Sequence, residues 1–310
     1  MAVAALAGTS RTALAADYGA VLAGAQSEFW RAMEAGIEQA AGERGVKVTV
    51  RSPMDDDPRT TSDNLQLKLV QRMIDAGVKS IILAPIPVTG MTTPVQLPVP
   101  VIFVDRPSKD YHALSTISTD NYQAGRAAAR TLQGVLPRGA RIAVLRLAPD
   151  VVSTSARESG FVDAARELGF EIAVDAYIGH GIHEPELAAV DAIKAYRERT
   201  PARALDAIFT PTDFTTLAAV RAVDTLGLTP RPKLVGFDYR PAFKQYLQSG
   251  VLHAVVAQDA YHMGYTAMLT LLKAEAGQPV QPEISIDVLV LTAANVDDPS
   301  IAKKLQQYQR

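Results

Sequence analysis

Apolar residues along this chain gather into short unbroken runs separated by longer amphipathic stretches. The runs read YGAVLAG (18–24), VKVTVRS (46–52), SIILAP (80–85), PVIFVDR (100–106), ARIAVLRL (140–147), EIAVDAYIG (171–179), AIFTPTD (207–213), KLVGFDY (233–239) and HAVVAQD (253–259). Short apolar runs bounded by polar breaks predict strands, and apolar side chains at successive positions predict burial on both faces. Between the runs, stretches such as 28–44, 61–76 and 121–136 carry helical spacing. In the first of these, Phe29, Met33, Ile37 and Ala40 line one face. Strands alternating with helices predict a doubly wound α/β protein built on parallel sheets.

The order also repeats coarsely. Residues 17–119 form one series of strand–helix units and residues 120–258 another, so two lobes are expected rather than one large sheet. A further helix over 260–276, a strand over 284–292 and a helix over 299–309 remain, and these predict that the chain crosses back between the lobes. The expected first lobe is 17–119 plus 259–286, and the second is 120–258 plus 287–310. Pro94–Pro100 reads as a short turn-rich connection, not a linker between domains. Residues 1–16 are small, apolar and free of acid, and Ala13-Leu14-Ala15 has the form of a signal-peptidase site. They are set aside as a signal-peptide remnant.

Composition narrows the function without naming it. At 310 residues with 48% hydrophobic and 21% charged residues, the chain suits two ordinary folded lobes. A net charge of −2 supplies no electrostatic footprint for nucleic acid. The chain has no cysteine, which removes disulfides, zinc–thiolate sites and thiol nucleophiles together. It also has no apolar run long enough to span a bilayer.

In open α/β sheets, ligands bind outside the carboxyl ends of the strands. Polar residues collect at those ends here. VIFV is followed by Asp105 and Arg106, AIFTPT by Asp213, LVGF by Asp238, and AVVA by Gln258 and Asp259. The turn Gln26-Ser27-Glu28-Phe29-Trp30 brings the only tryptophan to a strand mouth, and SARESGF places Arg157 at the opening turn of a helix. Each residue also has a plainer reading. Asp120 and Asp213 both suit helix N-caps, where a carboxylate accepts from free amides. Trp30 beside Phe29 suits a local core cluster. Asp105 and Asp238, each close to an arginine and a proline, suit a salt bridge between lobes. Taken together, the set favours a ligand cleft.

That chemistry fits a neutral polyhydroxyl ligand. Carboxylates accept from hydroxyls, guanidinium groups donate in a fixed fork, and an aromatic face covers the C–H side of a sugar ring. No nucleophile elbow, phosphate loop or zinc-protease motif is present. His180-Gly181-Ile182-His183-Glu184 reads as a solvated loop rather than a metal site, and Asp55-Asp56-Asp57 as an acidic surface turn. As a glycosidase acid–base pair, Asp105 and Asp238 are disfavoured, because pairing with Arg106 and Arg240 is expected to keep both ionised. No catalytic residue, metal or cofactor is expected.

Seven short motifs stand in order: S-E-F-W (27–30), V-D-R (104–106), S-T-D-N (118–121), S-A-R-E-S-G-F (155–161), T-D-F-T-T-L-A-A (212–219), G-F-D (236–238) and A-Q (257–258). With them the chain resembles, over residues 17–295, the type I periplasmic sugar-binding proteins of ABC transporters, the ribose- and galactose-binding group. The resemblance implies two α/β lobes, three crossovers and a ligand buried by hinge closure. It implies that Phe29 and Trp30 flank the ring. Asp105 and Arg106 would bind from the first lobe, and Arg157, Asp213, Asp238 and Gln258 from the second. Ser27 and Thr212 stand where ribose-type proteins carry asparagine, which argues against simple transfer of ribose. His180 falls at a further ligand-facing position, and Asp120-Asn121 at a hinge crossover.

The implied protein is an exported monomer that binds a monosaccharide or related polyol, delivers it to ABC permease membrane subunits and has no nucleic-acid partner. A periplasmic sensing subunit for a chemoreceptor or histidine kinase would share the cleft and differ in its surface patches. LacI-type repressors share the fold but carry an N-terminal helix-turn-helix, for which a first strand at Tyr18 leaves no room.

Overall fold

Two six-stranded sheets carry the chain, and they repeat one strand order. The computed structural model describes residues 16–25, 27–54, 64–88, 90, 93–149, 151–179 and 184–306. Residues 1–15 of the expected signal stretch 1–16, Gln26, the acidic turn at 55–57, and His180 and His183 lie outside these residues.

The first sheet is formed by β1 (Tyr18–Val21), β2 (Val48–Arg51), β3 (Ile81–Leu83), β4 (Val101–Val104), β5 (Ser115–Ser118) and β11 (Glu283–Ser285), in the order β2-β1-β3-β4-β5-β11. The second is formed by β6 (Arg141–Arg146), β7 (Glu171–Tyr177), β8 (Ala207–Phe209), β9 (Lys233–Phe237), β10 (Ala254–Gln258) and β12 (Val288–Thr292), in the order β7-β6-β8-β9-β10-β12. Each sheet therefore takes its second strand outermost, then its first, third, fourth and fifth, and gains a sixth from the C-terminal segment. The named strand pairs are parallel except β10 with β12. The inner strands β1, β3, β4, β8 and β10 are buried along their whole length, as continuous apolar runs between two helical layers require.

The helices are α1 (Glu28–Glu43), α2 (Leu65–Asp75), α3 (Asn121–Arg130), α4 (Val152–Glu167), α5 (Glu184–Arg199), α6 (Asp213–Thr225), α7 (Pro241–Gln248), α8 (Ala260–Glu275) and α9 (Pro299–Leu305). The chain passes between the sheets after β5, after β10 and between β11 and β12. As a result α3, which follows β5, packs on α4 beside the second sheet, while α8, which follows β10, packs on α1 beside the first.

Those two helix pairs meet in the same way. Gly36 of α1 faces the Tyr261 carbonyl of α8, and Gly264 of α8 faces the Met33 carbonyl of α1. Gly160 of α4 faces the Tyr122 carbonyl of α3, and Gly125 of α3 faces the Arg157 carbonyl of α4. A Cβ at any of the four would overlap that oxygen, so only glycine lets the backbones come this close.

Several expected boundaries change. The stretch 284–292 is two strands in different sheets, because Ile286 donates its amide to Ser118 O of the first sheet before the chain turns at exposed Asp287. β5 was not expected at all: of its four residues only Ile117 is a large apolar one. The helix expected over 121–136 ends at Arg130 and continues as turns. α4 begins at Val152, so Arg157 sits in its second turn rather than its opening one.

Candidate functional site

At the end of β4 the backbone of Asp105 turns into the left-handed region, with φ at 72°. Its amide donates to Ile117 O of β5 at 2.9 Å. At the end of β9, Asp238 has φ at 56° and its amide donates to Val256 O of β10, also at 2.9 Å. A non-glycine residue in this region is uncommon, although aspartate tolerates it better than most. The two aspartates thus occupy one bend at matching places in the two sheets. The bend carries the chain out of the strand and presents a carboxylate at its mouth.

The partners differ. Asp105 is 5% exposed and accepts from Arg106 Nε at 2.6 Å. The Arg106 guanidinium lies 5.8 Å from the Trp30 ring centre. Trp30 meets Phe29 edge to face, with centroids 4.8 Å apart and planes at 80°. Trp30 itself is 5% exposed, so much of its ring belongs to the core while Phe29 is only half-buried.

Asp238 is held from two sides. It accepts from Arg157 Nη1 at 3.2 Å and from Gln258 Nε2 at 2.9 Å. Arg157 also donates to Pro211 O at 3.0 Å and to Asn121 Oδ1 at 2.7 Å, and its guanidinium lies 4.1 Å from the Phe237 ring centre. A third pair completes the set: Arg240 Nε donates to Asp213, and the Arg240 guanidinium lies 4.5 Å from the Phe214 ring centre. The expected pairing of Asp238 with Arg240 is therefore corrected. Asp238 is partnered by Arg157, because Arg240 is drawn to Asp213 at the start of α6.

Burial pushes the Asp238 carboxyl above the ordinary carboxylate range; Arg157 and Gln258 oppose this, and the negative charge of Asp105 adds to it. Arg157, in place of Arg240, is the cation that favours the ionised form of Asp238 against that desolvation. The contribution of Asp105 also shows that the carboxylates at the two sheet mouths lie within electrostatic reach of each other. Asp213 is pushed up to about 6, first by burial, against the opposing charge of Arg240 and with that of Asp238.

Two predicted residues are engaged in helix capping. Ser27 Oγ accepts the Trp30 amide at 3.4 Å. Thr212 caps α6, accepting the Thr215 amide at 3.2 Å while Thr215 Oγ1 accepts the Thr212 amide at 3.0 Å. Asp213, read earlier as a cap candidate, is the first helical residue behind that cap. Asp120 does cap α3, through the Gln123 amide at 2.9 Å. His180 falls outside the described residues.

Sequence reasoning missed two contributors. Asn121, noted only as part of a crossover, bonds directly to Arg157. Fully buried Glu158 accepts from the Leu147 amide at 3.0 Å and from Arg146 Nη1 at 3.1 Å, pinning α4 to the end of β6. The motif S-A-R-E-S-G-F held Glu158 beside Arg157 all along, but nothing in it separates a buried acid from a solvated one.

Residues 18–279 match the family model described as the periplasmic binding protein domain. Among curated relatives, the ribose import binding protein of Bacillus subtilis is 26% identical over 272 residues, covering 83% of this chain and 81% of its own. The D-allose-binding periplasmic protein of Escherichia coli is 24% identical over 281 residues, covering 86% and 87%. Among solved structures, a sugar-binding protein of a sugar ABC transporter from Bacillus halodurans superposes with a TM-score of 0.77 at 20% identity, covering 90% of this chain and 98% of the other. The periplasmic component of an ABC-type sugar transport system from Hahella chejuensis gives 0.71 at 27% identity, covering 89% and 99%. With two sheets that repeat one strand order and a family match over most of its length, this chain belongs to the periplasmic binding protein family.

Proposed function

We propose that this protein is the solute-binding component of an ABC-type sugar importer. It takes a monosaccharide or related polyol between its two sheets, closes over it and delivers it to a membrane permease. The observation that carries this reading is the convergence of three carboxylate–guanidinium pairs, Asp105–Arg106, Asp238–Arg157 and Asp213–Arg240, at strand mouths of the two sheets. Equal numbers of the two charges suit a ligand that is itself neutral. A hydroxyl can donate to each carboxylate and accept from each guanidinium, and each such bond contributes about 1.5–3 kcal/mol. Phe29 and Trp30 offer the apolar side of a ring its surface.

Relatives named for ribose and for allose support a pentose or hexose as the ligand class. Ser27 and Thr212, with their hydroxyls engaged at helix amides, act mainly by fixing Trp30 and Asp213 in place. The mechanism is a population shift: a ligand that bonds to both sheet mouths at once stabilises the closed arrangement by its differential affinity. In this reading the protein is exported, works as a monomer and leaves its ligand chemically unchanged.

The test is a thermal-shift screen over pentoses, hexoses, deoxy sugars and polyols, followed by recovery of the bound sugar. A rise in unfolding temperature with one stereochemical group, and release of that sugar intact, is the expected result. No shift with any of them, or release of a hydrolysed product, would overturn it.

A further inference from the structure

Asn121 is the first residue of α3 and stands where the chain first crosses from one sheet to the other. Its Oδ1 accepts from Arg157 Nε at 2.7 Å, and its Nδ2 donates to Thr119 O at 3.2 Å. The two bonds agree on which way the amide points, since one needs its oxygen and the other its nitrogen. A single side chain thus joins the backbone of the crossover to an arginine of the candidate site.

The other helix pair supplies an internal control. Counted from their N-caps, Asp120 and Asp259, Asn121 of α3 matches Ala260 of α8, and Gly125 matches Gly264. Counted from Val151 and Ser27, Arg157 of α4 matches Met33 of α1, and Gly160 matches Gly36. The glycine contacts confirm the register, because Gly125 faces the Arg157 carbonyl as Gly264 faces that of Met33. Where one pair places buried, apolar Met33 and Ala260, the other places Arg157 and Asn121. The amide appears where the arginine does.

We propose that Asn121 is a positioning residue for sugar binding: it holds the Arg157 guanidinium in the orientation that meets the ligand and couples that orientation to the interlobe crossover. This rests on the sugar-binding reading above. Arg157 is 3% exposed and reaches Pro211 O and Asp238 through Nη1. A bond at Nε fixes the remaining rotation of the guanidinium plane. Without it a buried donor loses its partner, and the fork turns away from the cleft.

The test measures affinity by titration calorimetry for the tightest binder among pentoses, hexoses, deoxy sugars and polyols, D-ribose, D-allose and D-galactose included. The unfolding temperature of the unliganded protein is recorded alongside. Asn121→Leu is expected to weaken affinity by about ten- to a hundredfold. Asn121→Asp keeps an acceptor for Arg157 but gives up the donor to Thr119 O, and is expected to fall between wild type and the Leu variant, within about tenfold of wild type. Arg157→Lys binds more weakly and offers no donor at the Nε position, so adding Asn121→Leu to it is expected to cost less than about twofold more. Equal losses in the two backgrounds, an Asp variant as impaired as the Leu variant, or a lowered unfolding temperature with unchanged affinity would each overturn the positioning role while leaving sugar binding standing. A wild-type protein that binds nothing in the panel would overturn both readings.

Discussion

The α1·α8 and α3·α4 pairs are one structural device used twice, with different chemistry placed on it. Both cross through reciprocal glycines at the same register, and both crossover helices start behind an aspartate cap. At matching positions along these helices they part. The first pair supplies Trp30, Met33 and Ala260, and the second supplies Thr154, Arg157 and Asn121. The scaffold that brings a helix to the mouth of a sheet is therefore independent of what the helix carries there. One lobe offers half-buried Phe29 beside Trp30 and a single ion pair, and the other an array of charged donors and acceptors. A sugar ring has just such unlike faces, C–H above and hydroxyl around the rim.

The largest effects should follow from truncating the two residues that differ most. Arg157→Ala leaves the Asp238 carboxylate buried with only Gln258, and is expected to cost binding about 2–5 kcal/mol, or some thirtyfold to several thousandfold in affinity. Met33→Ala, at the matching place, opens a cavity instead and is expected to cost about 2–5 kcal/mol of folding stability. Sugar titration and urea unfolding on both variants would show opposite patterns. If Met33→Ala impaired affinity as severely as Arg157→Ala, the division of labour between the pairs would be wrong.

A smaller effect tests the shared scaffold. Gly125→Ala and Gly264→Ala each push a methyl group against a carbonyl of the partner helix, and each should cost about 1–3 kcal/mol of stability by urea unfolding. Only Gly125→Ala should also weaken sugar binding, because the carbonyl it displaces is that of Arg157. Equal loss of affinity in both variants would mean that the pairs affect the site only through general destabilisation.

How much of this the sequence could disclose depended on whether the signal was local. Apolar runs such as VIFV and AVVAQ announced buried parallel strands, because a strand covered on both faces admits almost nothing else. Asp105, Asp238 and Gln258 were legible from their positions directly after such runs. β5 was not, since a strand reading STIS is held by its neighbours β4 and β11 rather than by its own apolar content. The partner of Asp238 was misread for a related reason. Arg240 lies two residues away in sequence, yet the left-handed bend at Asp238 and the capped start of α6 deliver it to Asp213. The glycine register that reveals the two halves as equivalent needs the folded helices, because only four positions carry it.

The smallest predicted effect concerns a charge that one sheet has and the other lacks. After β8 the chain places Thr212 and Asp213, whereas after β3 the places that match them in strand register hold Pro85 and Ile86. Burial sets the Asp213 carboxyl at about 6 in the folded protein, against an ordinary 3.8. Between those values the fold keeps a proton that the unfolded chain has released, so this group favours folding more strongly as pH falls. Its contribution is fully present below the unfolded value and is lost as pH rises through about 6. Asp213→Asn removes the titration while keeping the shape. The stability of wild type relative to Asp213→Asn should therefore improve by about 1–2 kcal/mol between pH 7 and pH 4 in parallel urea titrations. Asp238 titrates in the same direction in both proteins, so most of its effect cancels in the difference. A flat difference across that range would mean that Arg240 holds Asp213 fully ionised despite its burial, and a difference favouring wild type at high pH would reverse the sign of the desolvation argument.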